Sequence, residues 1–298
     1  MEVGADQYHS LGSVVRAPRG KLPSSSCDAQ FHVFGPTDQY PIRPNAAYSM
    51  PLATLSVALE MHKLLGFRRG MIVQSTVYGA DNSCLLDALK IAGANYRGTA
   101  IIDDSTADSD LDRMHLAGVR AARFNFHRRL NLMPSDSSFE KAVQRVKERG
   151  WHAKINTTPG ALVTLMPLLK RLQVRFVVDH MGGRDLPPSS TIDVLPLLLE
   201  LVELDNCWIM LSNGDRRSVK GKPWDDSVAL ARELISKAPD RMIWGSDWPH
   251  PMIPVSEKLK DDGELLDLGM RYADGDEHIL RKIFVDNPAK LFGFSASA

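Results

Sequence analysis

The chain has 298 residues, 44% hydrophobic and 24% charged, which excludes a disordered or fibrous protein and allows one large core or two modest ones. Its 36 Lys and Arg balance 36 Asp and Glu, so the overall charge recommends neither nucleic acid nor an anionic membrane as a partner. No apolar run approaches the roughly 20 residues needed to span a bilayer. Cys27, Cys84 and Cys207 are odd in number and widely spaced, and read as reduced buried thiols of a cytoplasmic protein.

Residues 1–26 have no apolar signal region; their Pro, Gly and Ser content predicts an irregular surface leader, followed by a single catalytic domain over 27–298. The first strand is expected over 27–34, with Gln30 and His32 near its end and Gly35 and Pro36 breaking it. A Pro-rich loop leads to a helix over 55–65, closed by Gly66. The rhythm then repeats, with strands at 71–75, 98–102, 119–125, 151–156, 174–180, 207–212 and 242–244. Helices fall between them at 83–92, 108–117, around 139–146, 162–172, 192–204 and 226–237. An amphipathic segment over 278–292 closes the chain.

Eight strand-then-helix units with near-continuous apolar strands predict a parallel sheet sheathed in helices, and the count of eight favours a closed (β/α)8 TIM-like barrel over an open doubly wound sheet. No Gly-rich phosphate fingerprint follows any strand. In a barrel of this kind the site gathers at the C-terminal strand ends. The polar residues there are Gln30, His32, Ser75, Arg123, Asn125, Asn156, His180, Ser212 and Asp247. Asp247 is the focus, held by Gly245 and Ser246 before it and by Trp248, Pro249, His250 and Pro251 after it.

His32, His180 and Asp247 suit either of two tasks. Together they could bind zinc or manganese; without metal, Asp247 could take a proton from water while the imidazoles polarise a carbonyl. Gln30 tips the reading towards no metal and no cofactor, because a side-chain amide is a poor zinc ligand but donates well to an oxyanion. Arg123, Arg128, Arg129, Arg216 and Arg217 stand at or just past strand ends; inward-pointing members would select an anionic small molecule. Arg123 lies on an apolar strand and is expected inside. His9, His62, His115 and His278 read as surface residues and His152 as a core histidine.

The stretches Asp28-Ala29-Gln30-Phe31-His32, Val73-Gln74-Ser75, Arg123-Phe124-Asn125-Phe126, Val178-Asp179-His180-Met181-Gly182, Trp244-Gly245-Ser246-Asp247-Trp248-Pro249-His250-Pro251 and Asp286-Asn287-Pro288-Ala289 carry a resemblance. They resemble the amidohydrolase superfamily, and within it the branch of 2-pyrone-4,6-dicarboxylate lactonases, from about Cys27 to Phe292. The resemblance implies a distorted eightfold barrel that hydrolyses a lactone without requiring a metal. Carried over, Asp247 would activate water and His32 and His180 would polarise the lactone carbonyl or orient that water. Tyr48, Ser75, Arg123, Arg129 and Arg216 would hold substrate carboxylates and the ring, and Asn156 and His250 complete the candidate substrate contacts. Three departures from the family pattern stand out. Gln30 replaces the first histidine of a His-x-His strand, Asn156 replaces a tyrosine, and Gly182-Gly183-Arg184 displaces an arginine by one position. The expected activity is therefore the opening of a carboxylate-bearing lactone of unspecified identity. Lactone isomerisation, decarboxylation, or acid binding without turnover remain alternatives, and the oligomeric state is left open.

Overall fold

A computed structural model of the chain describes residues 13–50, 52–183, 192–253, 258 and 260–295. Eight strands pair in sequence order, all in parallel: β1 (Cys27–Phe31), β2 (Arg69–Val73), β3 (Tyr96–Ala100), β4 (Val119–Asn125), β5 (His152–Asn156), β6 (Phe176–Val178), β7 (Cys207–Met210) and β8 (Met242–Ile243). The connecting helices are α1 (Leu55–Leu65), α2 (Ser83–Ala92), α3 (Asp108–Leu116), α4 (Asp136–Glu148), α5 (Pro159–Leu169), α6 (Leu195–Val202), the short α7 (Gly214–Arg217) and α8 (Asp225–Lys237). The sheet closes between its last and first strands. Ala29 N donates to Trp244 O (2.9 Å), Asp247 N to Gln30 O (2.9 Å) and His32 N to Trp248 O (2.8 Å). Gly245 permits this seam, since a Cβ there would lie 2.7 Å from the backbone nitrogen of Gln30.

Alternation along the strands divides the apolar residues between two layers. Ala29, Met71, Val73, Val177, Trp208, Met210 and Ile243 fill the barrel interior, whose lower end is plugged by Leu291, Phe292 and Phe294. Phe31, Ile72, Phe124, Ile155 and Val178 face outward into the larger core beneath the helices. Polar exceptions are paired. Asp28 is wholly buried and accepts from Gln30 N (3.1 Å), Ser246 N (2.9 Å), Ser246 Oγ (2.5 Å) and His62 Nε2 (3.1 Å). His62 Nδ1 in turn lies 3.1 Å from the Tyr96 hydroxyl.

The predicted strand and helix order is therefore the observed one, with boundary shifts. β1 stops at Phe31, leaving His32 just beyond it, and β6 stops at Val178 because His180 (φ 53°) and Met181 (φ 50°) turn left-handed. The closing segment is not one helix. It is α10 (Glu277–Arg281), a π turn over Lys282–Asp286 and α11 (Asn287–Phe292). A further helix precedes it, α9 (Asp262–Arg271), with Asp261 as its N-cap. Part of the leader, Ser13–Val14, pairs in parallel with Lys260–Asp261. His62 is not a surface residue but is buried at the contact of α1 with β1, whereas His278 is exposed and His152 is buried against Phe292. His9 lies outside the described residues. No helix among the described residues is long and apolar enough to cross a membrane.

Candidate active site

At the C-terminal mouth of the barrel a cavity of about 110 Å³ is lined by side chains from seven of the eight strand ends and their loops. Asp247 sits in it at a left-handed backbone position (φ 60°), fixed by its N–H to Gln30 O and by the N–H of His250 on its own carbonyl (2.8 Å). Its carboxylate is ringed by donors. Oδ1 accepts from Gln30 Nε2 (2.9 Å) and lies 3.2 Å from His32 Nε2; Oδ2 accepts from Asn213 Nδ2 (2.9 Å), with Arg216 Nη1 at 3.9 Å. Burial alone would raise its pKa. His180, the His32 hydrogen bond and charge, and Arg216 outweigh that and hold it well below the ordinary carboxylate range. His32 Nδ1 faces the Val73 carbonyl at 2.8 Å, which can only accept, so that nitrogen carries a proton. With Asp247 ionised, the proton between the two side chains belongs to His32 Nε2.

His180 is the third member. Its Nε2 stands 3.3 Å from Gln30 Nε2 and 3.9 Å from Asp247 Oδ1, and its Nδ1 2.6 Å from Ser212 Oγ and 3.0 Å from Asn213 Nδ2. Burial lowers its pKa, against the opposing pull of Asp247 and Asp179. The donor set does not suit a divalent cation. The Gln30 amide nitrogen faces both Asp247 Oδ1 and His180 Nε2, where a cation would need lone pairs, and it must face that way because its oxygen would repel the carboxylate. Among the described residues no group of three or more His, Cys, Asp or Glu side chains is placed to hold a metal ion.

Around this centre the cavity is basic. Arg123, Arg216 and Arg217 line it, and Asp247 is its single acidic lining residue. Arg123 Nη1 reaches Gln74 O (3.4 Å), and beneath it Lys154 Nζ meets the wholly buried Asp179 at 2.6 Å. Arg216 Nη2 is braced by Met252 O (3.2 Å) and Arg217 Nη1 by Gly183 O (2.6 Å). Tyr48 and Asn156 also line the cavity, Tyr48 resting on Ser75 Oγ (3.0 Å) and Asn156 Nδ2 on Asn125 Oδ1 (2.6 Å).

His32, Tyr48, Arg123, Asn156, His180, Arg216 and Asp247 thus converge on one cavity, as expected. Four expected residues do not face it. Gln30 is wholly buried below it, its amide nitrogen committed to Asp247 and not free for an oxyanion. Ser75 lies under Tyr48. His250 is buried and pairs with Asp262 at the start of α9 (2.7 Å). Arg129 is exposed on a 3-10 turn and lines a separate groove beside the mouth. Thr76, His127, Thr157 and Asn213 line the cavity and were not foreseen. Only Asn213 left a trace in the sequence, an Asn-Gly pair directly after a strand. A wider hollow of about 1080 Å³ lies at the opposite end of the barrel. There Arg69 and Arg97 donate to the carbonyls of Ser295 and Gly293 and sit over the Phe294 ring, so these two guanidinium groups serve the plug.

The amidohydrolase family model matches residues 27–294. The chain belongs to the amidohydrolase family. It is 36% identical over 285 residues to a 2-pyrone-4,6-dicarboxylate hydrolase of Comamonas testosteroni, covering 92% of each chain, and 34% identical to a 4-sulfomuconolactone hydrolase of Rhizobium radiobacter, covering 91% of each. The crystal structure of an Agrobacterium tumefaciens protein superposes with a TM-score of 0.82 at 26% identity, covering 94% of this chain and all of that one. Both named relatives are hydrolases, and the matched solved structure carries the barrel that the repeat of eight had indicated.

Proposed function

We propose that this amidohydrolase opens a lactone bearing at least one acidic group, with Asp247 as the base that activates water and with no requirement for a metal. The observation that carries the reading is the lone carboxylate of Asp247 set among imidazoles and amides in a cavity that Arg123, Arg216 and Arg217 also line. Water held at Asp247 passes one proton to the carboxylate as its oxygen attacks the ring carbonyl. The C–O bond of the ester then breaks and the departing ring oxygen takes that proton, which returns Asp247 to its starting state. His32, with N–H at Nε2, supplies a donor beside Asp247 as negative charge grows on the carbonyl oxygen. Arg216 and Arg217 on one wall and Arg123 on the other would take the acidic groups of the substrate. The amide that Gln30 turns toward Asp247 supports metal independence.

The test uses 2-pyrone-4,6-dicarboxylate and 4-sulfomuconolactone, the substrates named for the two relatives, as probes in ¹⁸O-labelled water. Hydrolysis places one labelled oxygen in the product, and Asp247→Asn is expected to lower kcat by about 10²–10⁴-fold. Unlabelled product would turn the reading to isomerisation or decarboxylation, and unchanged turnover in Asp247→Asn would remove the proposed base. Full activity in metal-free protein after exhaustive chelation is expected.

A further inference from the structure

Two side-chain amides, one of them outside the expected set, bridge Asp247 and His180. Gln30, from the end of β1, and Asn213, from the loop after β7, each place an NH₂ group between Asp247 and His180. Gln30 Nε2 is 2.9 Å from Asp247 Oδ1 and 3.3 Å from His180 Nε2. Asn213 Nδ2 is 2.9 Å from Asp247 Oδ2 and 3.0 Å from His180 Nδ1. The four side chains form a closed ring, carboxylate to amide to imidazole to amide. We propose that Asn213 is a positioning residue of the hydrolytic site, one arm of a two-armed amide clamp whose other arm is Gln30. The clamp fixes the plane of the Asp247 carboxylate and keeps His180 in its neutral form. The proposal deepens the reading of Asp247 as the base and rests on it for its kinetic consequences.

The chemistry of the ring follows from the carboxylate. An ionised carboxylate only accepts, so both amides must turn nitrogen rather than oxygen toward Asp247. Once they do, each ring nitrogen of His180 faces an N–H. A protonated imidazole would present its own N–H to both amides, a contact with no acceptor. Ser212 Oγ, 2.6 Å from Nδ1, can donate to that nitrogen beside the Asn213 amide, which leaves the lone pair of the neutral ring on Nδ1 and its hydrogen on Nε2, 3.9 Å from Asp247 Oδ1; adding a proton at Nδ1 would set it against Asn213. The charged and titratable groups packed round the ring are His32 after β1, Tyr48, Arg123 on β4, Lys154 on β5, Asp179 after β6 and Arg216 on α7. None of them donates a hydrogen bond to Asp247 Oδ2 in place of Asn213, the closest being Arg216 at 3.9 Å. The backbone agrees with the choice of residue. Asn213 is left-handed (φ 56°, ψ 32°), a conformation that Asn, Asp and Gly adopt with little strain.

That conformation supplies variants that keep the fold. Asn213→Gly preserves the turn and deletes the amide; Asn213→Asp preserves turn and shape but sets a second carboxylate against Asp247. With 2-pyrone-4,6-dicarboxylate as probe, Asn213→Gly should lower kcat about tenfold, the equivalent of one charge-assisted hydrogen bond, with KM unchanged. The acid limb of its kcat profile should move to higher pH, because a carboxylate that loses a donor protonates more easily. Asn213→Asp should lose more, since two adjoining carboxylates share a proton. A second readout needs no turnover. In ¹⁵N-histidine-labelled protein the His180 ring should remain neutral to lower pH in the parent than in Asn213→Gly. A parent-like kcat with an unmoved acid limb, or His180 titrating identically in both proteins, overturns the clamp. If Asp247→Asn keeps its turnover the base assignment fails instead, and the His180 titration still decides whether the clamp exists.

Discussion

Replacing Asp28 with Ala should loosen the barrel where its first and last strands meet and disturb the Asp247 carboxylate with it. Asp28 has no solvent exposure and satisfies four donors, two of them backbone or side-chain groups of Ser246, the residue before Asp247. Each buried donor left unmade costs about 1–3 kcal/mol, although partial relaxation keeps such costs from adding fully. Breaking a buried pair such as Asp28 with His62 costs about 3–5 kcal/mol, which is the total we expect. For a chain of this size that is a fall in Tm of roughly 5–8 °C. Asp28→Asn keeps the volume and one acceptor, and should lose less. The assay is a thermal melt followed on both variants, together with kcat measured well below the transition, where Asp28→Ala should be slower because Ser246 no longer anchors its neighbour. An Asp28→Ala protein that melts within about 2 °C of the parent and turns over at the parental rate would refute the argument that this carboxylate holds the seam.

Arg216→Gln should raise KM for 2-pyrone-4,6-dicarboxylate by about tenfold or more through loss of a charge-assisted contact, whereas Arg129→Gln, altered outside the cavity, should leave steady-state kinetics within twofold or so; the reverse ranking would show that the arginines are misassigned. Lys154→Met should cost about 3–5 kcal/mol, read by urea denaturation, because it strands the buried Asp179 with only Arg123 at 4.0 Å. Asp247 is held below its unfolded pKa, so its contribution to stability is full above the ordinary carboxylate range and is lost as pH falls through the depressed folded value. The stability difference between the parent and Asp247→Asn should therefore shift on acidification in the direction that penalises the parent, and a difference constant from neutral to strongly acidic pH would contradict the depressed value.

The barrel was legible because its strands are short apolar runs and its first four helices each end within about two residues of a glycine. Those signals repeat often enough to be counted. What escaped was mostly set by neighbours in space. α9 contains Gly263 and Gly269 among charged residues, so its local preference is weak; Gly269 is small because the Trp244 ring packs against it. His62 could have been placed inside, since it lies four residues after Ala58 and three before Leu65 on the buried face of α1. The proposed catalytic trio was readable as polar residues at strand ends, but which polar neighbours face the cavity depends on turns. His250 follows Asp247 by three residues and still points away, to a helix the sequence had not revealed. Gln30 was placed at the end of the first strand, but that its amide faces Asp247 and His180 was not readable, because those partners come from segments 150 and 217 residues distant.

The join between β8 and β1 also has a dynamic consequence. Asp247 and Trp248 are stitched to Gln30 and His32 by backbone hydrogen bonds, so the loops that carry the reacting groups are the same ones that shut the cylinder. Breathing at that join would scatter the acid, the imidazole and the amide in a single event while the remaining staves stay paired. Catalysis should then fail on warming before the far-ultraviolet signal changes, with the amide protons of His32 and Asp247 the first of the barrel to exchange with deuterium.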